Sequence, residues 1–219
     1  MNCNALSQIP FIRRVTHSAS DAQLLEEAAQ ILQQGGVLVC ATDTGYLLGV
    51  DGLNVEAVKK VYAIKGRNFN KPIHVVVSDI EMARQLVVVD ARAERLVQEF
   101  LPGPLTLILQ KTSNVPELLV SGLPGLGIRI PENPFLLKLV KQAGCPMTAT
   151  SANRSGRATP FSVDGVLQGL GKAVRYIDLI IDQQDTAHSM PSTILDLTAQ
   201  PPRVLRQGPL EKALLRQYL

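Results

Sequence analysis

The sequence predicts an α/β fold, a twisted mixed sheet with helices packed against it. Three observations carry this expectation. Apolar runs of strand length recur along the chain, among them Val37–Ala41, Ile73–Val77 and Leu105–Leu109. Segments with apolar residues at helical spacing, opened by capping residues and often closed by glycine, lie between many of them. Several successive strands have no helix between them, which breaks the strict alternation of a doubly wound parallel sheet.

Taken in order, residues 1–18 read as an irregular lead-in, or as an edge strand over Phe11–Val15. Ser20 and Gln23 have the spacing of a capping box; Leu24, Ala28, Ile31 and Leu32 follow at helical intervals, and Gly35-Gly36 stops the helix. Val37–Ala41 is a strand and Leu47–Val50 a short second one. Asn54 caps a helix with an apolar face of Val55, Val58, Val61 and Tyr62, ending at Lys65-Gly66-Arg67. Ile73–Val77, almost uniformly β-branched, reads as a strand buried on both faces. Asp79 and Asp90 cap two helices, the second burying Leu96, Val97 and Phe100. Pro102-Gly103-Pro104 forces a turn into the strand Leu105–Leu109. Gly122–Gly125 is loop, Leu126–Ile130 strand, and Pro134–Ala143 a helix stopped by Gly144. Met147–Thr150 is a short strand emptying into the polar loop Ser151–Gly156. Ser162 caps a further helix. Leu179–Ile181, Thr193–Leu195 and Val204–Arg206 are the last strands, before a terminal helix within 209–219.

Composition narrows the function classes. The chain has 219 residues, 46% hydrophobic and 19% charged, enough for one substantial core, so a single domain over 1–219 is expected. No apolar run reaches the ~18 residues of a membrane span. The opening Met1–Leu6 lacks a basic region followed by an apolar one, so no secretory signal is expected and the chain reads as cytoplasmic. Cys3, Cys40 and Cys145 show no Cys-x-x-Cys spacing, which favours a reducing compartment over a disulfide or zinc framework. A net charge of +3 permits an anionic ligand or contact with RNA. With no Trp and 4% aromatics, base-stacking platforms are scarce, which disfavours nucleic-acid binding as the sole function.

Familiar catalytic patterns fall away on inspection. There is no P-loop; Gly122, Gly125 and Gly127 have the wrong spacing for a dinucleotide fingerprint and read as a flexible turn. Ser151-Ala152-Asn153 has the form of a Ser-x-Asn element, yet no Ser-x-x-Lys supplies its nucleophile. His17, His74 and His188 lack ligand-spaced carboxylates, so no protein-made metal site is expected. What remains is a set of cations, hydroxyls and amides at strand ends. Lys65, Arg67 and Lys71 precede one strand and Arg129 lies near the end of another. Ser151 and Asn153 follow a third, Ser192 and Thr193 open a fourth, and Arg206 ends a fifth. Arg129, between Ile128 and Ile130, either faces water or needs a buried partner. Thr148, Thr150 and Ser151 put hydroxyls where a structural strand favours Val or Ile. Guanidinium forks with hydroxyls and amides suit phosphate handling.

These residues also resemble a known family, the threonylcarbamoyl-adenylate synthases with a YrdC-type domain, from about Ala19 to about Gly208. Ala41-Thr42-Asp43-Thr44-Gly45-Tyr46 resembles the family's Pro-Thr-Asp/Glu-Thr-x-Tyr turn, and Lys65-Gly66-Arg67 with Lys71-Pro72 its Lys-x-Arg…Pro segment. In order follow Pro102-Gly103-Pro104-Leu105-Thr106, Gly127-Ile128-Arg129-Ile130-Pro131, Ser151-Ala152-Asn153 with Ser155-Gly156, Pro191–Asp196, and Leu205-Arg206-x-Gly208. The resemblance implies an α/β domain around a large electropositive cavity, of the short bacterial form. It implies that L-threonine, bicarbonate and ATP give threonylcarbamoyl-AMP and pyrophosphate, with magnesium held mainly by the phosphates. A separate tRNA threonylcarbamoyl transferase would use the product to modify tRNA adenosine, and tRNA or double-stranded RNA is a further partner it admits.

Carried over by motif, Thr44, Arg129, Ala149 and Ser192 would hold the threonine. Lys65, Arg67, Lys71, Ser151, Asn153, Thr159 and Arg206 would hold the nucleotide, with Lys65, Arg67, Ser151 and Asn153 nearest the chemistry. Ala41 stands where the family has proline, Leu47 where it has glycine, and Gln207 where it has proline, departures that bear on threonine selectivity. Two other readings stand beside the synthase. One is a same-fold paralogue that binds RNA or acts on a threonylcarbamoyl-type intermediate; the other is a tRNA- or ribosome-binding module without catalysis.

Overall fold

The computed structural model describes residues 11–16 and 18–218. His17, Cys3, most of the expected lead-in and Leu219 lie outside them. The strands are β1 (Ile12–Arg14), β2 (Leu38–Thr42), β3 (Gly45–Gly49), β4 (Val75–Val76), β5 (Leu105–Gln110), β6 (Gly125–Arg129), β7 (Met147–Thr148), β8 (Thr150–Ser151), β9 (Leu179–Asp182), β10 (Thr193–Asp196) and β11 (Arg203–Arg206). The α-helices are α1 (Ser20–Gln33), α2 (Val55–Lys65), α3 (Ile80–Leu86), α4 (Ala91–Phe100), α5 (Glu117–Val120), α6 (Pro134–Ala143) and α7 (Val163–Leu170).

The mixed α/β class holds, but the strands form two sheets in place of the single expected one. The first has the order β1-β9-β2-β3-β8, the second β11-β10-β5-β6-β4-β7. Both are mixed. In the first, β9 runs parallel to β1 and β2, while β2–β3 and β3–β8 are antiparallel. In the second, β10–β5 and β4–β6 are parallel and the other pairs antiparallel.

The expected strand Met147–Thr150 is where the two sheets part. Met147 and Thr148 pair with β4, Thr150 and Ser151 pair with β3, and Ala149 between them donates its N–H to the His74 carbonyl at 2.7 Å. Hydropathy cannot reveal this division, because both halves are buried whichever sheet they join. The Thr148 hydroxyl belongs to this frame, not to a ligand site. Its Oγ1 accepts from Val50 N–H at 3.0 Å and donates to the Leu48 carbonyl at 3.2 Å.

Strand β2 is buried on both faces, and its alternation feeds two cores. Leu38 and Cys40 pack with Leu24, Ala28 and Leu32 of α1 and with Leu136, Leu139 and Val140 of α6. Val39 and Ala41 pack with Val58, Val61 and Tyr62 of α2. Side-chain caps start the helices as expected: Asn54, Asp79, Asp90 and Ser162 accept from backbone N–H groups three residues on, as does Asn133. Each such cap contributes about 1 kcal/mol. The first helix differs: its cap position is Ala19, already helical at φ −58°, and no side chain caps it.

Other expectations shift for local reasons. Ile73–Val77 shortens to β4, because Ile73 N–H is taken by the Leu119 carbonyl of α5, a helix the pattern did not announce. Gly125 and Gly127 lie in β6 and not in a flexible turn. A Cβ on Gly127 would stand 2.5 Å from the His74 ring, so the strand can pass only as glycine. The C-terminal segment Lys212–Tyr218 is a 3₁₀ helix, with Tyr218 edge-on to Phe100 at 6.1 Å. No described helix is long and apolar enough to cross a membrane.

Candidate functional site

The β2–β3 turn, the β7–β8 switch and the ends of β6, β10 and β11 enclose a cavity of about 300 Å³. Arg67, Arg129 and Arg206 line it with Thr44, Thr106, Ser151, Thr159 and Ser192, and among the described residues no aspartate or glutamate does.

Its rigid corner is the turn Thr42-Asp43-Thr44-Gly45. Thr42 Oγ1 donates to the Gly45 carbonyl at 2.8 Å and accepts from Thr44 N–H at 3.1 Å. Gly45 turns at φ +129°, and a Cβ there would lie 2.7 Å from Thr159 Cγ2. The turn thereby aims Asp43 and Thr44 at Arg129. Arg129 Nη2 donates to Asp43 Oδ1 at 2.6 Å, Nη1 to Thr44 Oγ1, and Nε to the Gly103 carbonyl at 3.2 Å. This is the buried partner that a guanidinium between Ile128 and Ile130 requires. Burial lowers the Arg129 pKa and Asp43 opposes that shift, so the group stays charged. A guanidinium has five N–H donors; with three engaged, one on each Nη remains for a carboxylate or phosphate.

On the opposite wall, Arg206 Nε donates to the Ser192 carbonyl at 2.9 Å and Nη2 to Ser192 Oγ at 3.1 Å. Ser192 Oγ also shares a hydrogen bond with Thr106 Oγ1 at 2.8 Å. Arg67, just beyond α2, is steadied by the Pro72 and Lys71 carbonyls at 2.9 and 3.3 Å.

Lys65 is the last residue of α2 and only 2% exposed. Its Nζ donates to the Asn153 carbonyl at 2.8 Å, to Asn153 Oδ1 at 2.9 Å, and to the Ser151 carbonyl. Asn153 in turn accepts from Ser151 Oγ at 2.8 Å and donates to the Arg157 and Ala158 carbonyls at 2.7 and 2.6 Å. Lys65 therefore ties down the loop that presents Ser151. Burial, with Arg67 nearby, lowers its pKa to about 7, while three oxygen acceptors match the three N–H bonds of the ammonium.

Of the residues singled out in the sequence, Thr44, Arg67, Arg129, Ala149, Ser151, Thr159, Ser192 and Arg206 line the cavity. Lys65 and Asn153 sit behind its wall, and Lys71 is exposed, its carbonyl accepting from Tyr62 and Arg67. Thr150, marked by its hydroxyl in a strand, lines it too, as do Tyr46, His74 and Thr106, to which the motifs assigned no ligand role. His74 and Thr106 carried a usable signal, a polar side chain inside an apolar run, the same one that marks Arg129. Burial, with Arg206 and Arg67 nearby, lowers the His74 pKa to about 4, so its ring is a neutral wall. His74 and His188 join no group of three or more potential metal ligands among the described residues.

Fold and site together define an α/β protein with an arginine- and hydroxyl-lined cavity where two mixed sheets meet. The chain belongs to the Sua5/YciO/YrdC family, whose profile, described as telomere recombination, matches residues 30–208. A Methanocaldococcus jannaschii relative is 35% identical over 192 residues, covering 87% of this chain and 89% of its own. The threonylcarbamoyl-AMP synthase of Pyrococcus abyssi is 36% identical over 189 residues, covering 84% of this chain, which spans 54% of that protein. The crystal structure of P. abyssi Sua5 complexed with L-threonine superposes with a TM-score of 0.89 at 32% identity, over 95% of this chain and 60% of that one.

Proposed function

We propose that the protein is an L-threonylcarbamoyladenylate synthase, joining L-threonine, bicarbonate and ATP into threonylcarbamoyl-AMP and pyrophosphate. The observation that carries this reading is the convergence of Arg67, Arg129 and Arg206, from three separate parts of the chain, on one hydroxyl-lined cavity with no carboxylate among the described residues. Relatives named for the same synthesis, and a threonine complex of one of them, support it.

In this reading the threonine amine takes up the carbon of bicarbonate, water leaves, and a carbamate oxygen attacks the α-phosphorus of ATP. The bond from that phosphorus to the bridging oxygen breaks, and pyrophosphate departs. Such a reaction needs alignment and charge neutralisation more than a protein nucleophile. Arg129 and Thr44 hold the threonine carboxylate and Ser192 its polar end, with Ala149 lining that side. Arg67, Arg206, Ser151 and Thr159 hold the phosphates, and Lys65 and Asn153 keep Ser151 in place. Lys71, exposed and next in sequence to Pro72 of the cavity wall, would add charge where the nucleotide enters. Among the described residues the cavity, lined by hydroxyls and guanidinium groups, offers magnesium no carboxylate ligand, so the ion would arrive with the triphosphate and be held by its oxygens. The product would pass to a tRNA threonylcarbamoyl transferase, with tRNA as its destination. Buried Cys40 and free Cys145 suit a cytoplasmic protein.

The test is pyrophosphate release from ATP and bicarbonate, with and without L-threonine. Release that depends on threonine is expected. No release, or the same release without threonine, overturns the reading.

A further inference from the structure

Thr106 puts a hydroxyl into the otherwise apolar run Leu105–Leu109, and the residue is only 2% exposed. Its Oγ1 shares a hydrogen bond with Ser192 Oγ at 2.8 Å and has no second partner among the described residues. Ser192 stands just before β10, whose Thr193 and Ile194 pair in parallel with Leu105 and Thr106. The two hydroxyls thus face each other across neighbouring strands.

What hangs on Ser192 is Arg206. Its Nε donates to the Ser192 carbonyl at 2.9 Å and its Nη2 to Ser192 Oγ at 3.1 Å, so both hydrogen bonds of this side chain among the described residues end on one residue. Arg129, by contrast, is fixed by three separate residues, one of them a carboxylate. Arg206 is also an exposed residue, and a long exposed side chain holds one geometry only at an entropic cost. A serine side chain has three staggered positions. Only the one that meets Nη2 supports the guanidinium fork, and the Thr106 hydroxyl favours it.

Hydrogen-bond inventory adds a second consequence. A guanidinium donates and never accepts, so Ser192 Oγ is the acceptor toward Arg206. The two hydroxyls carry two protons and spend one on each other, which leaves one O–H for an acceptor in the cavity that both residues line. Arg206, with two of its five N–H groups engaged, offers three more.

We propose that Thr106 is a positioning residue of the arginine cavity: by fixing the Ser192 hydroxyl it aims the Arg206 guanidinium at a bound phosphate. The phosphate rests on the proposed function; the chain of contacts from Thr106 through Ser192 to Arg206 does not. Thr106→Val keeps the branched shape and removes the hydroxyl, and Ser192 Oγ retains Arg206 as a partner, so no buried group is stranded.

Two measurements test the proposal in Thr106→Val, Thr106→Ser, Ser192→Ala and the Thr106→Val/Ser192→Ala double variant. The first is the order parameter of the Arg206 Nε–H bond from nitrogen-15 relaxation, its signal assigned by loss in Arg206→Lys. It should fall from about 0.85 to below about 0.6 in Thr106→Val, recover in Thr106→Ser, and be no lower in the double variant than in Ser192→Ala. The second is calorimetric titration with inorganic triphosphate, which should bind Thr106→Val about fivefold more weakly at an unchanged urea midpoint. An unaltered order parameter in Thr106→Val overturns the proposal. So does a double variant worse than Ser192→Ala, since supports that act independently add. So does unchanged triphosphate affinity with a loosened Arg206. A wild type that binds no triphosphate, with the order-parameter pattern intact, counts against the proposed function and upholds the positioning of Arg206.

Discussion

Replacing Arg129 with methionine strands Asp43. The carboxylate already has one unpartnered oxygen, and losing the guanidinium bares the other, while the Gly103 carbonyl and Thr44 Oγ1 lose a donor. With side-chain exposures of 8% and 2% the pair is shielded from water, so surface screening does not apply. Removing one member of such a pair costs roughly 3–5 kcal/mol, a large share of the about 5–15 kcal/mol that holds a domain folded. Asp43→Asn strands the arginine instead and should cost a similar amount. The double variant buries no charge and lets an apolar chain fill the volume. It should recover about 2 kcal/mol or more relative to the sum of the single changes. The assay is urea unfolding followed by far-ultraviolet circular dichroism, since the chain has no tryptophan to report fluorescence. A loss below about 1 kcal/mol for Arg129→Met, or an additive cycle, would refute the argument. The double variant, despite that recovery, should not bind threonine by calorimetry.

Four further outcomes are expected. Lys65→Met leaves three oxygens without a donor and should abolish threonine-dependent pyrophosphate release; normal turnover would show that the Ser151 loop needs no tether. Because burial lowers the Lys65 pKa to about 7, the unfolded chain binds more protons than the folded one between pH 7 and the ordinary lysine value of 10.5. The wild type should therefore gain stability relative to Lys65→Met by up to about 1.4 kcal/mol per pH unit as pH rises through that window, and paired urea titrations at pH 6, 7.5 and 9 check the sign. Arg67→Gln should raise the KM for ATP about 10-fold, with an unchanged urea midpoint, because its two backbone contacts lie at a partly exposed turn. Gly127→Ala places a methyl against the His74 ring, 2.5 Å from Cδ2, and should cost about 1–3 kcal/mol by urea unfolding.

Much of the frame is legible in the sequence. Asn54, Asp79, Asp90 and Ser162 cap helices because short polar side chains reach a backbone N–H three residues on, a wholly local interaction. Most of the cavity lining was legible for a different reason, since ordered motifs carry residues such as Thr44, Arg67 and Arg206. What escaped was nonlocal. The division of Met147–Thr150 between two sheets depends on whether β4 or β3 offers the free edge. The placing of Lys65 behind the wall depends on where the Ser151–Asn153 loop returns. His74 carried a local signal, but the packing of its half-buried ring against Gly127 of β6, a strand far along the chain, is nonlocal.

The sequence by itself determined the α/β class, the main elements and the identity of the groups available to hold an anion. Only the tertiary structure decided that there are two sheets, that Arg129 is matched by Asp43, and that Lys65 braces the site from behind. The physical reason is range. Caps, turns and periodicity are settled within a few residues, whereas a guanidinium between two isoleucines is stable only if a distant segment brings it a carboxylate, and that meeting is a property of the packed chain.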